Sequence, residues 1–340
     1  MEYISFSGGG VSGTAYLGVL HELKHQDIKY WAGTSVGSIT ALFACLNIKA
    51  EELQDFILDV DHEEIMGTRV TSWKSVFYSW NLLKNYGMID GSRVRQWLSS
   101  ILETYGIEED ITFRGIKDLT DNDLMVNATC VETMDSVYFT RYSHRNMKIV
   151  DAILASVSFP FVFQPCCHDN LTYIDGALKE NNPIGAFDIR DSEDVTWGIN
   201  TRAAGFSLKC FSHQHWTLGN IFSYGNKLGN YVYEELQRVK TINDYRICDI
   251  STRDITTFNR DVPREILLEI VSDARDDTRE FVDSFPSKQD LFEPSAHAKS
   301  MGVKQIPDDI SLCVSHNTRK EKSFLSKWLN QSKKHWTIIH

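Results

Sequence analysis

The sequence is poor in several features. Proline occurs seven times and glycine 20 times in 340 residues, without a repeat, which excludes collagen-like and low-complexity chains. The cysteines Cys45, Cys130, Cys166, Cys167, Cys210, Cys248 and Cys313 are odd in number and form no C-x-x-C pair. They read as reduced thiols of a cytosol-like compartment, not as a secreted disulfide framework. Met1-Glu2-Tyr3 carries no basic n-region, so no secretory leader is expected. Apolar runs such as Ile39–Leu46 fall far short of the ~20 residues of a membrane span. Positive charge is also scarce: 35 Lys and Arg face 46 Asp and Glu, a net charge of −11, which makes the whole chain a poor nucleic-acid binder. The expectation is a cytoplasmic protein, soluble or held on a membrane surface.

What is present suits a globular core. Hydrophobic residues make up 42% of the chain and charged residues 24%, a balance that disordered chains do not show. The patterning alternates between strand and helix. Tyr3–Ser7 alternates like a strand and runs into Gly8-Gly9-Gly10. A helix is expected next, with Ala15, Val19 and Leu23 at i+4 spacing. Lys29–Ala32 is a second short strand, and Ile39–Leu46 a second apolar helix. This βαβα opening predicts an α/β fold with a parallel sheet. Further strands are expected at Leu124–Val131, Val137–Tyr142, Leu171–Ile174, Val195–Ile199 and Tyr245–Ile250. Further helices are expected at 94–105, 149–157, 218–239 and 263–285. The alternation predicts one large domain over residues 1–285 and an extension over 286–340.

Three segments carry chemistry. Gly8-Gly9-Gly10-Val11-Ser12-Gly13 satisfies G-x-G-x-x-G, the dinucleotide fingerprint, which also needs an acid at the end of the next strand. That strand ends instead in Ala32-Gly33-Thr34-Ser35. Such a loop also serves as an oxyanion hole, its glycines letting backbone N–H groups point at one spot. Gly33-Thr34-Ser35-Val36-Gly37 is a G-x-S-x-G elbow between strand and helix, which exposes the Ser35 oxygen and lets the Val36 N–H join the oxyanion hole. The plain alternative is a strand–helix turn with an N-capping serine. Asp175-Gly176-Ala177 closes a predicted strand. It is a turn by composition, and a base by position if its strand ends on the same sheet edge as the others. Burial would raise the Asp175 pKa and suit it to take a serine proton.

Together these segments resemble the patatin-like phospholipase family. Ser5–Gly13 is similar to its glycine-rich block, Gly33–Gly37 to its nucleophile elbow and Asp175–Ala177 to its D-G-[AG] block. Ala155–Phe163 is similar to a segment written roughly A-S-x-A-x-P-x-x-F, and Asn182-Pro183 to the N-x-P that follows the aspartate. The resemblance covers residues 1–285. It implies a three-layer α/β/α fold around a mostly parallel sheet. It further implies a Ser35–Asp175 dyad, with Ser35 as nucleophile and Asp175 as base, and an oxyanion hole from Gly8, Gly9, Gly10 and Val36. It implies no metal, no calcium and no cofactor, and a membrane glycerolipid or phospholipid as substrate. Members often carry a basic residue at the place of Ser12 and an acid at that of Ser7, so the local positive field here is expected to be weaker.

Other readings remain open beside it. A Ser-Asp-His triad could be completed by His213 or His215, although an α/β-hydrolase places its elbow after several strands. A catalytically silent lipid-binding module is the non-enzymatic alternative. Cys166-Cys167-His168-Asp169 suggests a metal, but adjacent side chains rarely converge on one ion. The aromatic stretch 73–86 reads either as a lipid-entry wall or as core. Residues 317–340 carry six Lys and Arg against one Glu, with Phe324, Trp328 and Trp336 among them. This segment reads as a peripheral membrane anchor or as a helix packed on the domain.

Overall fold

The computed structural model describes residues 3–61, 65, 80–187, 196–202, 246–255, 257, 259 and 262–284. The expected helix at 218–239, His213, His215, most of the 73–86 stretch and the 286–340 extension lie outside the described residues.

Strands β1 (Tyr3–Phe6) and β2 (Tyr30–Thr34) flank helix α1 (Tyr16–Leu23), and α2 (Val36–Cys45) and α3 (Ala50–Leu58) follow. Then come β3 (Gly87–Ile89), α4 (Ser92–Thr104), α5 (Phe113–Thr120), β4 (Asp123–Cys130), β5 (Asp135–Thr140) and α6 (Ile149–Val157). Short strands β6 (Phe161–Phe163), β7 (Cys166–His168) and β8 (Leu171–Asp175) precede β9 (Trp197–Arg202), β10 (Ile247–Ser251) and α7 (Arg264–Ser284).

The main sheet has the order β10-β9-β1-β2-β4-β8-β7, with β5 also pairing to β4, and β3 pairs with β6 in a separate ribbon. The strands from β10 to β4 are parallel neighbours. Every residue of β1 and β4 is buried, as expected of strands covered on both faces. On one face Phe6 packs against Tyr16 of α1 and stacks with Trp31. On the other, Tyr3, Ala32, Met125 and Phe187 form a core cluster. Chain 176–187 crosses that second face, and Asn127 Nδ2 and Thr34 Oγ1 both donate to its Glu180 carbonyl. This is the α/β architecture with a mostly parallel central sheet that the alternating pattern predicts.

One expectation about the sheet needs correction. Asp175 was expected at the shared edge because parallel strands end together. In the structure β8 runs antiparallel to β4, with Ala128 opposite Asp175 and Cys130 opposite Tyr173. The cause is an overhang. β2 ends at Thr34, opposite Asn127, while β4 continues to Cys130. β8 pairs with that overhang and runs back toward the sheet, so its last residue arrives beside the end of β2. The strands expected at Leu124–Val131 and Val137–Tyr142 pair with each other as an antiparallel hairpin, β4–β5. The glycine loop enters a 3-10 turn, Gly10–Ala15, before α1 begins.

The spacing of Leu267, Ile270, Val271, Ala274, Thr278 and Phe281 predicts one packed face on α7; four of the six, Leu267, Ile270, Ala274 and Thr278, are buried, and Val271 and Phe281 are half-buried. α7 crosses α1 closely at Gly18, where a Cβ would lie 2.2 Å from the Val271 carbonyl oxygen and 3.0 Å from Ala274 Cβ. No helix among the described residues is long and apolar enough to cross a membrane. Replacing Gly18 with alanine forces the two helices apart and should lower unfolding stability by about 1–3 kcal/mol, the usual range for an overpacked core. Urea denaturation measures it, and an unchanged midpoint would contradict the close crossing.

Candidate active site

The site is assembled at the C-terminal ends of β1 and β2. Ser35 lies between β2 and α2 with φ 53° and ψ −126°, a left-handed backbone that a non-glycine residue adopts only when its surroundings hold it there. Both flanking glycines are required by close backbone approach. A Cβ on Gly33 would lie 2.2 Å from the Gly37 carbonyl oxygen, and one on Gly37 would lie 2.4 Å from that of Phe6. The turn therefore packs backbone on backbone and leaves Ser35 half-buried at its apex. Its N–H donates to Ser156 Oγ at 2.8 Å, and its carbonyl accepts from Ser38 Oγ at 2.6 Å.

Asp175 is 3% exposed. Its Oδ1 accepts the Ala177 N–H at 2.9 Å, and the Ser35 side chain lies near enough to influence its carboxylate. Burial pushes its pKa up from 3.8 to about 7, although the Ala177 N–H and the Ser35 side chain pull the other way. Its own N–H donates to the Ser158 carbonyl at 2.9 Å, and Thr129 Oγ1 donates to its carbonyl at 3.1 Å. The two residues singled out in the sequence, 140 positions apart, are thus brought together at one site.

The glycine loop runs beside them. A Cβ on Gly8 would lie 3.1 Å from Ser35 Cβ and 2.8 Å from Asn181 Oδ1. Gly10 has φ 55°, and a Cβ there would meet the Thr257 carbonyl oxygen at 2.2 Å. The expected role of Gly8 as an oxyanion donor is corrected here. Its N–H is directed to Asn181, at 3.2 Å from the carbonyl oxygen and 2.9 Å from Oδ1. The N–H groups of Gly9, Gly10 and Val36 have no acceptor among the described residues. Ser12 is buried and inward-turned, its hydroxyl on the Gly9 carbonyl at 2.8 Å and Thr201 Oγ1 at 3.0 Å. Ser7 Oγ is 2.9 Å from the Tyr16 hydroxyl, which donates to the Ser7 carbonyl at 2.7 Å. Neutral hydrogen bonds thus occupy both positions.

Ser156 and Asn181 escaped sequence reasoning as individual residues. The segments containing or adjoining them, Ala155–Phe163 and Asn182-Pro183, were the available signal. Cys166, Cys167 and His168 sit in sequence along β7, so their side chains alternate between faces. Among the described residues no three His, Cys, Asp or Glu side chains gather as a metal-ligand set.

With this geometry in view, comparison with known proteins is decisive for the family. The family model for patatin-like phospholipases matches residues 4–188, more than half of the chain, including the glycine loop, Ser35 and Asp175. The chain belongs to this family. Relatives include the uncharacterized protein R571 of Acanthamoeba polyphaga mimivirus, 27% identical over 58% of this chain and 65% of its own length. The probable lipid hydrolase 463L of Invertebrate iridescent virus 6 is 24% identical over 63% of this chain and 74% of its own. The chain thus spans slightly less than two thirds of R571. Among solved structures, VipD from Legionella pneumophila matches 84% of this chain and 67% of its own with a TM-score of 0.53 at 14% identity, a likeness of fold.

The raised pKa of Asp175 has a stability consequence. Between about pH 4 and pH 7 the native carboxyl keeps a proton that the unfolded chain releases, so this group's contribution falls as pH rises, by at most about 1.4 kcal/mol per pH unit. Asp175→Asn keeps an Oδ1 for the Ala177 N–H and cannot ionise. This patatin-like domain should therefore be more stable as the variant than as wild type at pH 8, and close to wild type at pH 4. Thermal melts at the two pH values test this, and a destabilised variant at pH 8 would contradict burial of the charge.

Proposed function

We propose that the protein is a calcium-independent lipid acyl hydrolase of the phospholipase A type, acting through Ser35 and Asp175. The observation that carries this reading is the placement of the Ser35 side chain beside a buried carboxylate whose pKa lies near 7. A carboxylate at its ordinary pKa is a poor base for a hydroxyl, and one near 7 is matched to proton transfer at neutral pH. The same placement favours a dyad over a triad, since the two side chains are near enough to interact without an imidazole between them.

The steps follow from the geometry. Ser35 Oγ attacks the ester carbonyl carbon while its proton passes to Asp175. The carbonyl oxygen becomes an oxyanion facing the N–H groups of Gly9, Gly10 and Val36, which are oriented before the charge appears. The ester C–O bond breaks, and the leaving alcohol takes the proton from Asp175. Water then attacks the acyl-Ser35 ester, giving its proton to Asp175, and collapse releases the fatty acid and returns a proton to Ser35. A membrane glycerolipid or phospholipid is the proposed substrate. The family and the name of the iridescent-virus relative support a lipid. Peripheral membrane contact through residues 317–340 and a domain boundary near 285 belong to the same proposal.

A fluorophosphonate probe reacts with an activated serine held beside an oxyanion hole. Wild type should label in the presence of EDTA, and folded Ser35→Ala should not. Equal labelling of the two, or no labelling of wild type with lipid vesicles added, would contradict the reading. The acylation rate should rise with pH through a midpoint of about 7, as Asp175 loses its proton, and level off above it. A midpoint near 4 would mean that the base is exposed or is another group.

A further inference from the structure

The last turn of α6 touches both members of the dyad. From Ser156, the hydroxyl accepts the Ser35 N–H at 2.8 Å and donates its own hydrogen to the Asn127 carbonyl at 2.6 Å. From Ser158, the carbonyl accepts the Asp175 N–H at 2.9 Å, while the Ser158 hydroxyl closes back on the Leu154 carbonyl at 2.6 Å. Ser156 is wholly buried and Ser158 nearly so, at 0% and 3% exposed. Neither side chain faces solvent or the space above Ser35 where an ester would lie.

We propose that Ser156 is a positioning residue for the nucleophile: its hydroxyl, bridging the Ser35 N–H and the Asn127 carbonyl, holds the elbow so that Ser35 Oγ stays directed toward Asp175. The inference deepens the acyl-hydrolase reading and rests on it. The physical need is specific. Ser35 has φ 53°, outside the range its side chain prefers, and an N–H at the start of a helix has no acceptor within that helix. In many strand–helix turns that N–H would be left to water. Here it is taken by a buried hydroxyl whose second bond ties it to β4, the strand that also pairs with β8 and so with Asp175. Nucleophile and base are therefore referenced to one strand and one helical turn. The same bond removes the Ser35 N–H from the set of donors available to an oxyanion, which leaves that task to Gly9, Gly10 and Val36. An aliphatic side chain at 156 would fill the space but leave the Ser35 N–H buried and unpaired, and the elbow free to rotate Oγ away from the carboxylate.

The test is steady-state hydrolysis of a soluble monomeric ester by the full chain carrying Ser156→Ala, Ser156→Cys or Ser156→Thr. Ser156→Ala should lose kcat by on the order of 10- to 100-fold, the scale expected for sub-ångström to ångström misplacement of a reacting group. KM should stay within about two-fold, since the hydroxyl does not face substrate. The pH midpoint should remain near that of wild type, because Asp175 stays buried. Ser156→Cys fills nearly the same volume with a weaker hydrogen-bonding group and should also lose kcat. It serves in place of the alanine variant if that one does not fold. Ser156→Thr keeps the hydroxyl and should recover most of the rate. A folded Ser156→Ala or Ser156→Cys turning over at the wild-type rate, or losing only KM or only thermal stability, overturns the assignment. If wild type itself shows no turnover and no fluorophosphonate labelling, the hydrolase reading fails, and this inference with it. That outcome is distinct from full activity in a Ser156 variant.

Discussion

The site depends on one close approach of backbone to backbone. A Cβ on Gly37 would lie within about 2.5 Å of the carbonyl oxygens of both Phe6 and Ser7, and one on Gly33 would strike Gly37 itself. With no side-chain carbon between them, the end of β1, the end of β2 and the start of α2 meet at contact distance. That contact brings the glycine loop, which continues β1, against the turn that carries Ser35. It also forces Ser35 into a backbone conformation it would not choose. The N–H of Val36 and those of Gly9 and Gly10 are left without acceptors among the described residues.

The second constraint is electrostatic. Asp175 is delivered to this edge by an antiparallel strand and buried there, with the Ala177 N–H on its Oδ1 and the Ser35 side chain nearby. No cation is among the causes that set its pKa, so burial dominates and the carboxyl becomes basic. A salt bridge at this place would have lowered the pKa and weakened the base. The neutral Ser7–Tyr16 and Ser12–Thr201 hydrogen bonds are consistent with this, because they complete the loop without adding charge beside the carboxylate.

Much of this was legible in the sequence because its causes are local. The elbow reads from Gly33, Ser35 and Gly37, since a tight strand–helix turn needs glycine at those spacings. The α7 face reads from Leu267, Ile270, Val271, Ala274, Thr278 and Phe281, because helical period survives in the pattern of packed residues. The direction of β8 was not legible, because Leu171–Asp175 has the same alternation whichever way it runs, and only the overhang of β4 decides it. Gly8 was misread as an oxyanion donor because Asn181, 173 residues away, takes its N–H. Ser156 looks like any small residue on a buried helix until its hydroxyl is placed on Ser35. Each missed feature is a long-range hydrogen bond or pairing, which a local pattern does not encode.

The claim at the centre is that Ser35 sits between a carboxylate base on one side and the Gly9, Gly10 and Val36 N–H groups on the other. The most direct measurement is a crystal structure of the fluorophosphonate adduct. The account predicts phosphorus bonded to Ser35 Oγ, with the phosphonyl oxygen within about 2.7–3.1 Å of at least two of those three nitrogens. An adduct on another residue, or a phosphonyl oxygen pointing to solvent away from the glycine loop, would contradict it.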